Sequence, residues 1–422
     1  MKGQCISILP ENTGFLSSIG ENPVSSGRMG MYIQYPIIKE NQLRMKRRYV
    51  LLLSVIVFSS NAYATLLSVS LGHGALLYDA TQAAGPDSAK TNAPGQWITT
   101  IQDFNAGAIA SSQITRLYPY SGDIQMTCSN PSACVYSGPG QNVFVNYNTP
   151  AFGQASVAAY RAAFPNALIL AIIDADTSSL PLLSYIDVGV GIANALTEQI
   201  CADPNVDGVF FDLEPFNFDQ NQGQFALYKQ TSINFSSAAC IDPAHPHGRT
   251  FAIFMSPNQV NNWSQLPGML GNNGYLVVSA YDVNDQTPPT PTPYKLYTSS
   301  VTGKIQAFMD PNSQQYKIPY SVAIPAASSF SEFEQFGQYD STAPNDFLVT
   351  TNYIPQGFTQ ANYVHTAAAI VSSNAKSGYF LGMDYWSWGQ YKSPAPSKNQ
   401  LLLPNIPPTD VVALLQNLPV GR

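Results

Sequence analysis

Charge is scarce in this chain. Asp, Glu, Lys and Arg make up only 11% of its 422 residues, and the 19 basic residues are outnumbered by 26 acids. So little positive charge excludes the electrostatic footprint of a nucleic-acid-binding protein. Histidine is scarcer still: His73, His245, His247 and His365 are the only four, and they are scattered. A zinc site needs thiolates and imidazoles at short spacing. Among the five cysteines there is no C-x-x-C pair, so no metal is expected. His245-Pro246-His247 reads as a solvated loop. Glycine clusters are thin: Gly72-His73-Gly74 and Gly189-Val190-Gly191 are too sparse for a nucleotide loop, and no cofactor is expected. What is present is aromatic residues at 12% and many uncharged polar side chains. Aromatic content that high excludes a disordered chain. The composition suits an exported protein with polar, uncharged ligands.

The N-terminus reads as a targeting segment. Met45-Lys46-Arg47-Arg48 is a basic n-region, and Tyr49 to Phe58 is an apolar run of ten residues. That is too short to span a bilayer comfortably. Ala62-Tyr63-Ala64 has the small-residue form of a cleavage site. Residues 45–64 are therefore expected to be a signal peptide cut after Ala64, with residues 1–44 an upstream extension outside the mature protein. The expected location is secreted or periplasmic, with no stable membrane insertion after cleavage. The first 64 residues hold 7 of the basic and 3 of the acidic residues, which leaves 12 against 23, a formal net charge of −11. An anionic membrane surface is then an improbable partner, and a monomer is expected. Cys128, Cys134, Cys201 and Cys240 remain, an even number in an exported chain, which suggests two disulfides. Cys128 and Cys134 flank a five-residue loop and form the local pair, leaving Cys201 for Cys240.

Residues 65–422 read as one domain with loop insertions. Helical and strand patterns alternate: helix 156–164, strand 166–174, helix 187–201, strand 207–214, helix 224–239, strand 250–255, helix 263–270, strand 275–281, helix 301–309, strand 318–325, helix 360–373 and strand 378–386. Six strands separated by helices are the pattern of a parallel sheet built from β-α-β units. The fold class expected is α/β, a (β/α)8 TIM barrel. Its two missing strands must precede residue 150. Residues 113–118 supply one, and residues 67–71 or 142–146 the other. A short closing helix is expected at 411–415.

The most informative stretch is Val206-Asp207-Gly208-Val209-Phe210-Phe211-Asp212-Leu213-Glu214-Pro215. Side chains alternate across a strand, so Gly208, Phe210, Asp212 and Glu214 share one face and Val209, Phe211 and Leu213 the other. Both faces are mostly apolar, as in a strand of a covered parallel sheet. Two acids then sit on one face at the C-terminal end, with Cα atoms about 7 Å apart. In a β/α barrel that end carries the catalytic groups. The plainer alternative is an edge strand running into an acidic turn.

This stretch resembles the signature of glycoside hydrolase family 18, the chitinase family, whose pattern is Asp-Gly-x-Asp-x-Asp-x-Glu. Asp207, Gly208, Asp212 and Glu214 match, and Phe210 stands where the middle Asp belongs. Phe254 to Asn258, Val278 to Asp282, Ile318 to Ala327 and Gly378 to Trp386 resemble the strands that follow in the family, so the resemblance covers about residues 160–390. It implies hydrolysis of β-1,4 bonds next to N-acetylglucosamine in chitin or chitooligosaccharides. The mechanism it implies is retaining and substrate-assisted, with the 2-acetamido group as nucleophile, an exception to the usual two-carboxylate scheme. Glu214 would be the general acid, Asp212 would orient the acetamido group, and Tyr281 would donate its hydroxyl to the same carbonyl. Trp386 would stack under the sugar, with Tyr385 and Trp388 as alternatives. Phe210 and Asp282 would line the pocket, and Tyr118 and Tyr120 are weaker candidates for its rim. Related readings stay open: an endo-β-N-acetylglucosaminidase acting on glycoprotein glycans, a catalytically silent sugar-binding barrel, or a barrel glycosidase of another family in which a distant acid pairs with Glu214.

Overall fold

The computed structural model describes residues 71–78, 94–126, 143–147, 154–175, 183–214, 216, 222–280, 301–326, 360–390, 404–405, 407 and 409–418. Backbone contacts divide the chain into two units, Met1–Val55 and Ile56–Arg422, and all described residues belong to the second. The expected signal peptide and upstream extension lie outside the described residues, as do Cys128, Cys134, Tyr281 and Asp282.

Ten strands form one sheet: β1 (His73–Tyr78), β2 (Ile114–Met126), β3 (Val143–Tyr147), β4 (Leu168–Ala175), β5 (Gly208–Asp212), β6 (Thr250–Met255), β7 (Gly274–Ser279), β8 (Tyr320–Pro325), β9 (Phe380–Gln390) and β10 (Pro404–Asn405). Eight of them run β1-β2-β4-β5-β6-β7-β8-β9, and β9 pairs back onto β1. Every pairing on that circuit is parallel. Helices connect successive strands, so the architecture is a closed (β/α)8 barrel. The remaining two strands are antiparallel additions, β3 on β2 and β10 on β9.

The six later strands fall where the apolar runs place them. The first does not: β1 starts at His73, just past the 67–71 run. The 142–146 run forms a strand one residue on, but as the hairpin partner of β2 and outside the barrel circuit. A histidine opens β1 because its ring is buried with both nitrogens paired. Nε2 lies 2.8 Å from the Leu418 carbonyl, and Nδ1 accepts the Met383 amide at 3.2 Å. The helix expected at 301–309 is a π-helical turn, Gly303–Met309, that continues as an α-helix to Tyr316.

The strands bury both faces because two cores meet at the sheet. Outside it, Phe211 packs on Tyr228 of the helix Gln222–Phe235 and on Phe251, with ring centroids 5.2 and 6.4 Å apart. Inside, Phe210 meets Tyr118 from β2 at 4.9 Å and Phe254 from β6 at 6.3 Å. The interior also holds a buried polar cluster. Arg116 bonds to Asp384 with Nη2 at 2.7 Å, donates through Nε to the Tyr118 hydroxyl at 2.8 Å, and through Nη1 to the Leu381 carbonyl at 3.0 Å. The Tyr118 hydroxyl also sits 2.9 Å from that of Tyr275. Space there is so tight that β1 must pass Asp384 as a glycine: a Cβ on Gly74 would lie 2.0 Å from the Asp384 Oδ1.

Candidate active site

Asp207 and Gly208, the first half of the acidic motif, set the position of β5. Asp207 precedes the strand at the N-terminal end of the barrel, the end associated with stability. Its carboxylate accepts the Ile169 amide at 2.7 Å and Arg161 Nη2 at 2.5 Å, and faces His245 Nε2 at 2.9 Å. Burial alone would raise the Asp207 pKa. The His245 hydrogen bond, the Arg161 charge and the Ile169 amide outweigh burial and hold it below the usual carboxylate range. His245 is buried, and its Nδ1 lies 3.0 Å from the Asp242 carboxylate. This corrects the expectation of a solvated His245: two carboxylates and Arg249 compensate its burial. The disulfide Cys201–Cys240 lies beside this network, through the Cys201 carbonyl that accepts Arg249 Nη2 at 3.2 Å. Gly208 has φ 153° and approaches Thr250 so closely that a Cβ would sit 1.6 Å from its carbonyl oxygen.

Asp212 and Glu214, the second half, lie at the C-terminal mouth. Asp212 ends β5 half-buried, and Glu214 is exposed two residues on. The turn that carries Glu214 is held from both sides. Leu213 is fully buried, and its carbonyl accepts Gln224 Nε2 at 2.8 Å. Phe216 is buried and stacks on Tyr228 with centroids 6.0 Å apart. Gln224 also donates to the Tyr228 hydroxyl at 3.0 Å, so one helix fixes both flanks of the acid. Burial pushes the Tyr228 phenol above its ordinary pKa, and the Gln224 hydrogen bond opposes the shift only in part. Its hydroxyl therefore stays protonated within this clamp.

Three expected sugar contacts do not reach a ligand surface. Phe210 is 0% exposed and belongs to the interior aromatic layer beneath Asp212. Tyr385 and Trp388 are 0% and 1% exposed. Both lie on the helix side of β9, where Tyr385 packs against His73 and Phe104 and the Trp388 indole donates to Thr100 Oγ1 at 3.0 Å. A ring enclosed by protein on both faces cannot stack on a pyranose. Trp386 is in β9 opposite Pro325 of β8, and its side chain lies outside the described part. Tyr118 is deep in the interior cluster. Tyr120 is higher, 8% exposed, with its hydroxyl 2.9 Å from Asp174 Oδ2.

Nothing in the sequence marks Asp174 as a functional residue. It lies opposite Asp212 on the neighbouring strand and opposite Asp123 on the other side. Only the strand register brings these acids to one level. No group of three metal-ligating side chains is found among the described residues.

No family model matches the chain, and no curated protein matches it. Among solved structures it is similar to a class V chitinase from Pseudomonas fluorescens Pf-5, at 9% identity over 82% of this chain and 98% of that one, with a TM-score of 0.46. A family 5 mannosidase from Rhizomucor miehei is similar at 12% identity over 81% and 91%, with a TM-score of 0.44. An endo-beta-N-acetylglucosaminidase from Cordyceps militaris is similar at 12% identity over 84% and 92%, with a TM-score of 0.33. Identities this low, with TM-scores below 0.5, transfer neither activity nor residue roles to this chain.

Proposed function

We propose that this chain is an exported glycoside hydrolase that cuts β-1,4 bonds next to N-acetylglucosamine in chitin or chitooligosaccharides. The observation that carries the reading is the placement of Asp212 and Glu214. They lie at the C-terminal mouth of one barrel strand, Asp212 half-buried at its end and Glu214 exposed in the turn beyond it and held from both flanks. Two acids two residues apart, one ending a strand and one in the turn just after it, approach a substrate from the same side. They cannot flank a glycosidic bond as the usual pair does. The arrangement suits chemistry in which the substrate supplies its own nucleophile.

In this reading Glu214 gives its proton to the leaving oxygen as the C1–O bond breaks, and the acetamido oxygen bonds to C1 from the opposite face. Asp212 holds the acetamido group in line. Glu214, now ionised, takes a proton from the water that opens the intermediate, and the configuration at C1 is retained. Tyr281 is assigned the second hydrogen bond to the acetamido oxygen, and Trp386 and Asp282 are assigned to the sugar pocket.

The test is turnover of a panel of chitin oligomers and N-glycans by the mature chain and by Glu214→Gln. The amide keeps the shape and lacks the acidic proton, so activity should fall about 10²–10⁴-fold while binding persists. Cleavage of N-glycans in place of chitin would redirect the reading to an endo-β-N-acetylglucosaminidase. Sugar binding without turnover by the unmodified chain would make it a lectin-like barrel.

A further inference from the structure

We propose that Asp174 is a positioning residue that shares a proton with Asp212 across the β4–β5 pair. It would thereby supply the carboxyl that residue 210 does not. The proposal rests on the role assigned to Asp212 above. Its structural basis is independent of that role.

Register comes first. Asp174 and Asp212 are direct partners in a parallel pair. Such strands lie about 4.8 Å apart, and partners in register point to the same side of the sheet. That side is the barrel interior, because Phe210, two residues before Asp212, meets Tyr118 and Phe254 there. Both acids are half-buried. Two carboxyls this close, partly shielded from water, resist double ionisation and titrate as a pair.

Tyr120 biases the pair. Its hydroxyl donates to Asp174 Oδ2 at 2.9 Å. A hydrogen bond donated to a carboxylate favours its ionised form. That bond favours the charge on Asp174 and the proton on Asp212. A protonated Asp212 is a donor aimed from the mouth of the barrel, which is what an acetamido group needs to be held.

The other groups facing this pair do not compete for the role. On β2, Asp123 is in register with Asp174 but accepts Gln125 Nε2 at 2.6 Å and Asn146 Nδ2 at 3.0 Å. Past β5, Glu214 is exposed and two residues beyond Asp212. Position 210, directly beneath, is a buried phenylalanine with nothing to titrate. Tyr120 is bonded to Asp174, Asp123 is in register with it, and the Tyr228 phenol lies within electrostatic reach of Asp212.

The experiment uses the mature chain with 13C-labelled aspartate. The side-chain carbon of Asp212 is followed by NMR from pH 3 to pH 9, alongside the pH dependence of kcat and KM on a chitooligosaccharide. In the unmodified chain Asp212 should titrate in two steps. Asp174→Asn should reduce these to one step at lower pH and lower kcat by about 10–100-fold, with KM changed by less than about threefold. Tyr120→Phe, which removes no charge, should shift the division of the proton and lower kcat less. An Asp212 curve unaltered in both variants overturns the proposal, even if the enzyme hydrolyses chitin. Two coupled steps without turnover of any substrate would instead uphold the pairing and sink the hydrolase reading. Should Asp174→Asn fail to fold, the Tyr120→Phe curve decides the matter alone.

Discussion

Replacing Asp384 by Asn takes one charge out of the barrel interior and changes almost nothing in shape. Asp384 and Arg116 are both 0% exposed. On Oδ1, Asp384 receives Arg116 Nη2 at 2.7 Å, Arg116 Nε at 3.2 Å and the Tyr118 hydroxyl at 3.1 Å. On Oδ2 it receives the Ser321 hydroxyl. An Asn oxygen can keep the first three bonds. The Ser321 hydroxyl can turn to accept from the new amide, since a hydroxyl both donates and accepts. Hydrogen bonding survives, and the substitution isolates the charge. Burial opposes the charge of Arg116, the Asp384 carboxylate is the largest of the contributions that offset it, and the guanidinium pKa lies above its ordinary value. Without the carboxylate, a buried cation is left uncompensated, which costs about 3–5 kcal/mol. The assay is urea unfolding followed by near-ultraviolet circular dichroism. The midpoint should fall with the slope unchanged, and Tm should drop by on the order of 10 °C. Adding Arg116→Met should recover much of the loss, because removing both charges is often neutral. A loss below about 1 kcal/mol in Asp384→Asn would refute the reasoning: the Arg116 charge would then have compensation that this ion pair does not supply.

His73 should make the fold acid-sensitive. Burial, the largest cause, lowers its pKa from 6.5 to about 4. The folded state then binds fewer protons than the unfolded one between these values, so stability should fall by about 3 kcal/mol as pH drops through that window and level off below it. His73→Gln should flatten this limb, and an unchanged pH profile of Tm would count against it. The disulfide Cys201–Cys240 closes a sequence separation of 39. Its removal in the Cys201→Ser, Cys240→Ser pair should cost up to about 4 kcal/mol by loop-closure entropy. A midpoint in urea equal to that of the unmodified chain would show that the bond constrains nothing. Phe210→Asp puts the acid of the motif at a fully buried site. It should destabilise by at least about 3 kcal/mol and leave kcat no higher, and a gain in kcat would show that position 210 belongs to the chemistry.

The architecture was legible because a barrel strand buried on both faces is a run of apolar residues, and the six later strands are such runs. Two kinds of element were not. The first strand begins at a histidine whose partners come from the 381–390 and 409–418 regions, so its polarity could be explained only after the chain had closed on itself. Residues 142–147 carry the alternation of a real strand, but alternation cannot say whether a strand joins a parallel circuit or hangs as a hairpin from its neighbour. Aromatic residues misled for a similar reason. Tyr385 and Trp388 lie in the strand whose end was expected to hold the sugar, and alternation alone would have put 385 and 388 on opposite faces. The irregular register opposite Ala75 and Leu77 puts both on the helix side.

The acidic motif divides at its middle. Asp207 and Gly208 act at the bottom of the barrel, one as the counter-charge of Arg161 and a partner of the His245 ring, the other as the point where β5 touches Thr250. Asp212 and Glu214 act at the top. Matching all four positions to one pattern treats them as a single unit, although the structure sets the two halves at opposite ends of the barrel, about four residues apart along the chain. The substitution at 210 falls between the halves, in the aromatic layer that separates them. A phenylalanine there is compatible with the bottom network, which never reaches it, and it removes a neighbour only from the top. Whatever compensates must then come from the side, at the level of Asp212, on a strand that pairs with β5. Among the described residues β6 offers Ile253 opposite Phe211 and no acid at that level, whereas β4 offers Asp174. Neither the spacing along residues 206–215 nor the composition of residues 166–174 could reveal that. The relation exists only in the register between two strands that are more than thirty residues apart in the chain.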